Sequence, residues 1–305
     1  MIRRILEAIG IKKTHAHIPA ASISDDEFEE LLDIICVASK KSGRLASHLV
    51  PVQQLDQSSF AGTSIGHISM LPKGHTWPMH DDEPMLPLLQ IRVSDLPQCP
   101  SELREFEYIF IWCAIESSPD MPFELLSELF EMTSNDCDQS EILDFYERNA
   151  DKISIRYSPD PSVIRVLALP RGSCFEVCES KDPHEILNPH VLHAESITDS
   201  IDHWDGVYQK FLTPEIAKRC NTLYDRKLTS HQEKKINQAT GNHECVKVGG
   251  WPTNLQGVID FDGKAEFILQ ITSSRDYGLM LGDLGIIYIG YNKSTNEWLS
   301  DWSSY

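Results

Sequence analysis

Two stretches of this 305-residue chain repeat one order of residues. The first runs Leu71-Pro-Lys-Gly-His-Thr-Trp77-Pro78, then Leu88-Leu-Gln-Ile91, then the apolar run Tyr108–Ile115. The second runs Gly249-Gly250-Trp251-Pro252, then Ile268-Leu-Gln-Ile271, then Gly285–Tyr291. In both, Trp-Pro precedes an apolar segment ending in Leu-Gln-Ile, and an aromatic-rich segment follows. Short runs of β-branched and aromatic residues bounded by Gly and Pro are strand signals. Two copies point to a duplicated sheet core rather than a solenoid, which needs roughly three or more repeats for stability. The competing reading is chance similarity between two sheet-forming segments.

Helical patterns frame these strands. Ser24-Asp-Asp-Glu27 has the form of a capping box. Phe28, Leu31, Leu32 and Ile35 follow at helical spacing, so a helix is expected over 25–42, with Lys40, Lys41 and Arg44 complementing its dipole near the end. After Tyr108–Ile115 two more helices are expected within 121–150. In the first, Phe123, Leu125, Leu126, Leu129 and Phe130 face inward and Glu124, Glu128 and Glu131 face outward. In the second, Ile142, Leu143, Phe145 and Tyr146 face inward. Segments 152–157 and 163–169 read as two strands, with Pro159-Asp-Pro161 as a turn between them. Thr213-Pro-Glu opens a helix over 213–222. Segment 225–244 is polar and reads as a loop or a mobile helix. The expected fold class is α+β: a mainly antiparallel sheet core with an internal, pseudo-twofold duplication and peripheral amphipathic helices. The expected organisation is an N-terminal helical segment over 1–45. One domain then covers 46–305, with related halves at about 60–115 and 245–305 and a helical acidic insert at 116–150.

Charge narrows the function classes. With 27 Lys and Arg against 46 Asp and Glu, the formal net charge is −19. Phosphates attract cations, so this balance argues against nucleic-acid and anionic-membrane binding and favours basic partners. No apolar run is long enough to span a bilayer. The N-terminal stretch has a Glu inside a short apolar segment and no small-residue cleavage site, so no signal peptide is expected. Eight scattered cysteines then read as free thiols, and a cytoplasmic protein is the expectation.

The two signatures also resemble the YwqG-like bacterial family, a domain of unknown function. Leu-Pro-Lys-Gly-His-Thr-Trp-Pro with Leu-Leu-Gln-Ile is similar to its first signature. Gly-Gly-Trp-Pro, Phe-Ile-Leu-Gln-Ile and Gly-Asp-Leu-Gly-Ile-Ile-Tyr-Ile are similar to its second. Leu281 stands where a Trp is usual, and Gly62–Gly66 departs from the usual first Gly-Gly. The resemblance covers about 60–115 and 245–305. It implies an α+β fold rich in antiparallel strands and supplies no catalytic residues. Some relatives of that family are immunity-type proteins found beside secreted toxins.

Each group of chemistry-bearing residues also has an ordinary structural role. Cys174, Cys178, His184, His190 and His193 have short spacings, but no pair of Cys-x-x-Cys knuckles accompanies them, so no metal is expected. His75, His80, Asp81 and Asp82 read as a solvated loop. There is no nucleophile elbow, phosphate loop or dinucleotide fingerprint, so no catalytic residue, no cofactor and no enzyme are expected. Gly282–Gly285 reads as a turn, and Gln90, Gln270, Trp77 and Trp251 as structural. Gln90 and Gln270 are expected to pin the two halves together.

The acidic segment is more informative. Between Glu116 and Glu147 lie ten carboxylates and no Lys or Arg. A solvated helix face is the plain reading. The sharper one is a docking surface for a basic protein, made by Asp120, Glu124, Glu128, Glu131, Asp136, Asp138, Glu141 and Asp144. Trp204, Trp298 or Trp302 would serve as aromatic anchors. The expected function is a cytosolic acidic binding protein, an immunity protein that occludes the active site of a basic, nuclease-type toxin. The alternative is a small-ligand-binding or enzymatic module with its site between the halves.

Overall fold

The computed structural model describes residues 24–55, 61–120, 122–134, 139–201, 229–241, 243–255, 259 and 261–305. The strands, in chain order, are β1 (Arg44–Gln54), β2 (Ser64–Ile65), β3 (Met70–Pro72), β4 (Met79–His80), β5 (Glu83–Pro84), β6 (Leu86–Arg92) and β7 (Phe106–Asp120). They continue as β8 (Ser154–Pro170), β9 (Phe175–Val177), β10 (His190–Asp199), β11 (Lys247–Gly249), β12 (Glu266–Thr272), β13 (Ile286–Asn292) and β14 (Glu297–Ser303). Helices are α1 (Asp25–Ser42), α2 (Phe123–Ser134), α3 (Gln139–Arg148) and α4 (Ser230–Thr240). Ten strands form one sheet in the order β14-β13-β12-β11-β1-β10-β2-β6-β7-β8. Every pairing in it is antiparallel. A large antiparallel sheet with helices added outside it is the arrangement of an α+β fold.

Side-chain alternation explains why the central strands are apolar throughout. Leu89, Ile91, Ile109 and Ile111 pack with Leu269, Ile271, Ile287 and Ile289 in one shared core. On the opposite face, Tyr108, Phe110, Trp112 and Ala114 pack with Ile68, Trp77 and Met85. Ile286 and Tyr288 pack with Phe261. A strand covered on both faces has no polar side to show, so its sequence reads as a continuous run. The sheet also curls: Phe106, opening β7, meets Tyr291 of β13 and Trp298 of β14, both at 6.0 Å between ring centroids. Trp298 is thereby packed, half-buried, against the core.

The arrays on either side of the central β1–β10 pair match in register. Gln90 lies opposite Ser64 and Phe110, and Gln270 opposite Lys247 and Tyr288. A register shift precedes Leu89 on β6 and Leu269 on β12. The glutamines also bond alike. Gln90 accepts from Ser69 N–H and donates to the Gly62 carbonyl; Gln270 accepts from Thr253 N–H and donates to the Cys245 carbonyl. Each of these bonds fastens a loop to its own array. The tryptophans do not occupy matching stations. Thr253 follows Trp251 by two residues, whereas its counterpart Ser69 precedes Trp77 by eight. Trp77 Nε1 donates to the Met85 carbonyl, and Trp251 Nε1 to the Ser42 carbonyl.

Helix α1 begins as its sequence dictates, with Ser24 Oγ accepting from Glu27 N–H. Phe28, Leu31, Ile35 and Ala38 bury one face against Ile236 of α4, Ile201 and Trp251. Complete burial of side chains of this size contributes about 1.5–3 kcal/mol each. The Arg44 guanidinium lies 3.4 Å from the centre of the Trp251 ring, closing the end of the helix over the sheet.

Two local expectations are corrected, and one open alternative is decided. Pro159-Asp-Pro161 is not a turn: β8 runs unbroken, and residues 161–163 bulge opposite the step from Cys113 to Ala114. β8 is an edge strand, where missing proline N–H groups are tolerated. Of the loop and the helix left open for 225–244, residues 230–240 take the helix, closed by a Thr229–Gln232 capping box and by Gly241 in the left-handed conformation. At the tip of the β7–β8 hairpin, Leu126, Phe130 and Leu143 are at least half exposed rather than turned inward. The helix expected at 213–222, residue Trp204 and the first 23 residues lie outside the described residues.

Candidate functional site

β7 and β8 extend past the sheet as an arm, with Ser117–Asp120 exposed and paired to residues 154–157. Helices α2 and α3 sit at its tip. Glu116, Asp120, Glu124, Glu128, Asp144 and Glu147 are all exposed there. Among the described residues, no ion pair engages the carboxylates of Asp120, Glu124, Glu128 or Asp144. Glu131 lies in α2 and Glu141 in α3; Asp136 and Asp138 fall outside the described residues. Leu126, Phe130 and Leu143 interrupt this acidic surface with 51%, 54% and 59% exposure. The tip therefore offers charge and apolar area together. Phe145 of α3 is fully buried, so the hairpin has an anchor of its own. Trp302 is 38% exposed on β14 and remains available at the surface.

A cavity of about 760 Å³ opens beside the base of the arm. Its wall joins the turn after β2 to the segment between β9 and β10, and includes His67, Cys178, Asp182 and Leu187. His184, in that segment, stacks on Tyr157 of the arm with ring centroids 3.5 Å apart. The segment is well fixed. Ile68 N–H donates to Ser180 Oγ, Ile186 and Leu187 N–H donate to the Asp182 carboxylate, and Asn188 N–H donates to the Tyr277 carbonyl. His67 is 8% exposed, and its Nε2 is buried with no hydrogen-bond partner. Burial lowers its imidazole pKa from the ordinary value. Among the described residues, none of 245–305 lines this cavity, which is therefore walled by the first array and the β9–β10 segment rather than by both arrays. Sequence reasoning missed it because His67 sits in an irregular segment with no motif around it.

The cysteine and histidine cluster is not brought together. Cys174 is exposed, the Cys178 thiol contacts the Ile68 carbonyl, and His190 Nδ1 lies 2.9 Å from the Asn188 carbonyl. Among the described residues no group of three His, Cys, Asp or Glu is placed to hold a metal ion. Burial pushes the Cys178 and Cys245 thiols up to about 11, which suppresses the nucleophilic thiolate. His80 lies 3.6 Å from Asp81 in an exposed hairpin turn whose two central residues, Asp81 and Asp82, have positive φ. That geometry is a tight hairpin connection rather than a site.

A family model described as a domain of unknown function, DUF1963, matches residues 119–295. The matched span starts at the arm tip and runs through β13, so it takes in the second signature and the middle of the chain but not the first signature. No curated protein matches the chain. With more than half of its length matched, this chain belongs to the DUF1963 family, whose domain has no known function.

Proposed function

We propose that this protein is an acidic binding protein that captures a basic protein through the α2–α3 tip of its β7–β8 arm. The observation that carries the reading is the joint exposure of Asp120, Glu124, Glu128 and Asp144 with Leu126, Phe130 and Leu143 on one hairpin. Carboxylates that make no ion pair among the described residues attract a cationic partner over a distance and select it. The apolar residues supply area that becomes buried on contact. Glu131, Asp136, Asp138 and Glu141 add charge to the same segment.

The resemblance to YwqG-like proteins directs the choice of partner. An immunity protein that occludes the cationic active site of a nuclease-type toxin needs such a surface and no catalytic residue of its own. In this reading the protein works in the cytoplasm. The matched registers of β2-β6-β7 and β11-β12-β13, with Gln90 and Gln270 as counterparts, descend from an internal duplication. The test is functional neutralisation. The basic protein retained by this chain, expressed alone, should degrade nucleic acid and arrest growth, and co-expression should relieve the arrest. Growth arrest undiminished by co-expression contradicts the reading.

A further inference from the structure

We propose that the β7–β8 arm is a hinged element, pivoting on the bulge at residues 161–163 and latched to the body of the protein by the ring of His184 against Tyr157. Three observations carry this assignment. First, the ladder is broken where the arm leaves the sheet. Cys113 pairs with Ile164 and Ala114 with Asp160, so residues 161–163 have no register partner on β7. Pro161 has no N–H to offer, and Ser162 N–H donates to Asp160 Oδ1 at 2.9 Å instead of to the facing strand. A bulge bends its strand and interrupts the ladder, so the ribbon is least stiff there. Second, exposure changes just beyond that step. Cys113 and Ala114 are fully buried, whereas Glu116 and Ser117–Asp120 are exposed. Third, a contact from the body reaches the arm beyond the pivot. Tyr157, which pairs with Ser117, stacks on His184 with ring centroids 3.5 Å apart and planes 7° from parallel.

The latch stands on a fixed support. Glu185, the residue after His184, has a φ of +52°, a left-handed conformation that is costly outside glycine. Asp182 holds the turn there: its carbonyl accepts from Glu185 N–H, and its carboxylate accepts from Ile186 and Leu187 N–H. Nε2 of His184 is buried and lies 3.7 Å from Glu83 Oε1 on β5. The ring therefore sits between the arm and the β4–β5 hairpin. A single ring stack is a modest interaction, so it favours the closed pose while leaving an open one within thermal reach. The consequence for function rests on the capture reading: a latched arm presents its tip in one pose and spares the partner the cost of ordering it.

The test uses the full chain without a partner, so the latch can fail while the capture reading stands, and the reverse. Residual dipolar couplings report the orientation of the arm amides at 117–120 and 154–157 against those of β6, β12 and β13. In the unaltered chain both sets should fit one alignment. His184→Ala and Tyr157→Ala should each shrink the arm couplings and leave those of the sheet in place, which also shows that the variants fold. Amide exchange at Ser117, Ser118 and Asp120 should quicken about threefold to tenfold in both variants, the range expected for losing one ring stack. Tyr157→Phe keeps the ring and should behave as the unaltered chain. Arm couplings already averaged in the unaltered chain, couplings and exchange unchanged in both alanine variants, or a Tyr157→Phe effect equal to that of Tyr157→Ala would each overturn the proposal.

Discussion

Lys247 Nζ lies 2.9 Å from Asp199 Oδ2, and neither side chain has any solvent exposure. The carboxylate also accepts from Trp251 N–H at 2.7 Å and His243 N–H at 3.0 Å. The ammonium reaches Thr253 Oγ1 at 3.4 Å. Gly250 permits this approach: its φ is +75°, and a Cβ there would fall 2.4 Å from Asp199 Oδ2. The pair thus ties the end of β10 to the Gly-Gly-Trp-Pro signature.

Removing either residue takes the opposite charge away from a fully buried partner. Asp199→Ala and Lys247→Met should each destabilise the protein by about 3–5 kcal/mol, measured by urea unfolding. The double variant should be less destabilised than the sum of the two singles. Simple additivity would show that the pair is not coupled.

The two glutamines predict a second pair of effects. Gln90→Leu strips Ser69 N–H and the Gly62 carbonyl of their partner; Gln270→Leu does the same to Thr253 N–H and the Cys245 carbonyl. Each substitution should lower stability by about 1–3 kcal/mol per orphaned buried group. Equilibrium unfolding of both variants checks this, and a neutral effect at either position would contradict the bonding described.

Acidification should weaken the fold through His67. Its folded-state value is lowered by burial, so the unfolded chain takes up the proton at higher pH than the native one. The contribution is fully present above the ordinary value of 6.5 and is lost as pH falls from there toward the folded value. The melting temperature should therefore drop between about pH 7.5 and pH 5.5, and His67→Leu should flatten that drop. Equal pH dependence in both proteins would remove His67 from the account.

Thiol reactivity should rank by environment. Cys174 is exposed, whereas burial raises Cys178 and Cys245 to about 11. Peptide-resolved alkylation of the native protein near pH 8 should label Cys174 well before the other two. Fast labelling of Cys245 would contradict its placement.

Much of this architecture is legible in residue order. Ser24 and the spacing of Phe28, Leu31 and Ile35 specify α1, and the Leu-Gln-Ile segments with their aromatic neighbours specify the sheet. Other features depend on tertiary context. Prolines that look like a turn sit in an edge-strand bulge, because the edge needs no N–H there. α4 shows few apolar residues, since it buries chiefly Ile236 against α1, and only its capping box and Gly241 betray it. Leu126 and Phe130 follow a helical stripe that implies burial, but their hairpin stands at the end of an arm. The unpaired nitrogen of His67 has no sequence signal, because it arises where two distant segments close a cavity.

The central claim is capture of a basic protein by the arm tip. Its most direct test is affinity capture from native lysate at low and high salt, using the tagged protein beside Glu124→Lys/Glu128→Lys/Asp144→Lys, with mass spectrometry of what is retained. The account predicts one basic protein held stoichiometrically by the unaltered chain, weakened by salt and lost from the charge-reversed variant. Equal retention by both proteins, indifferent to salt, would contradict it.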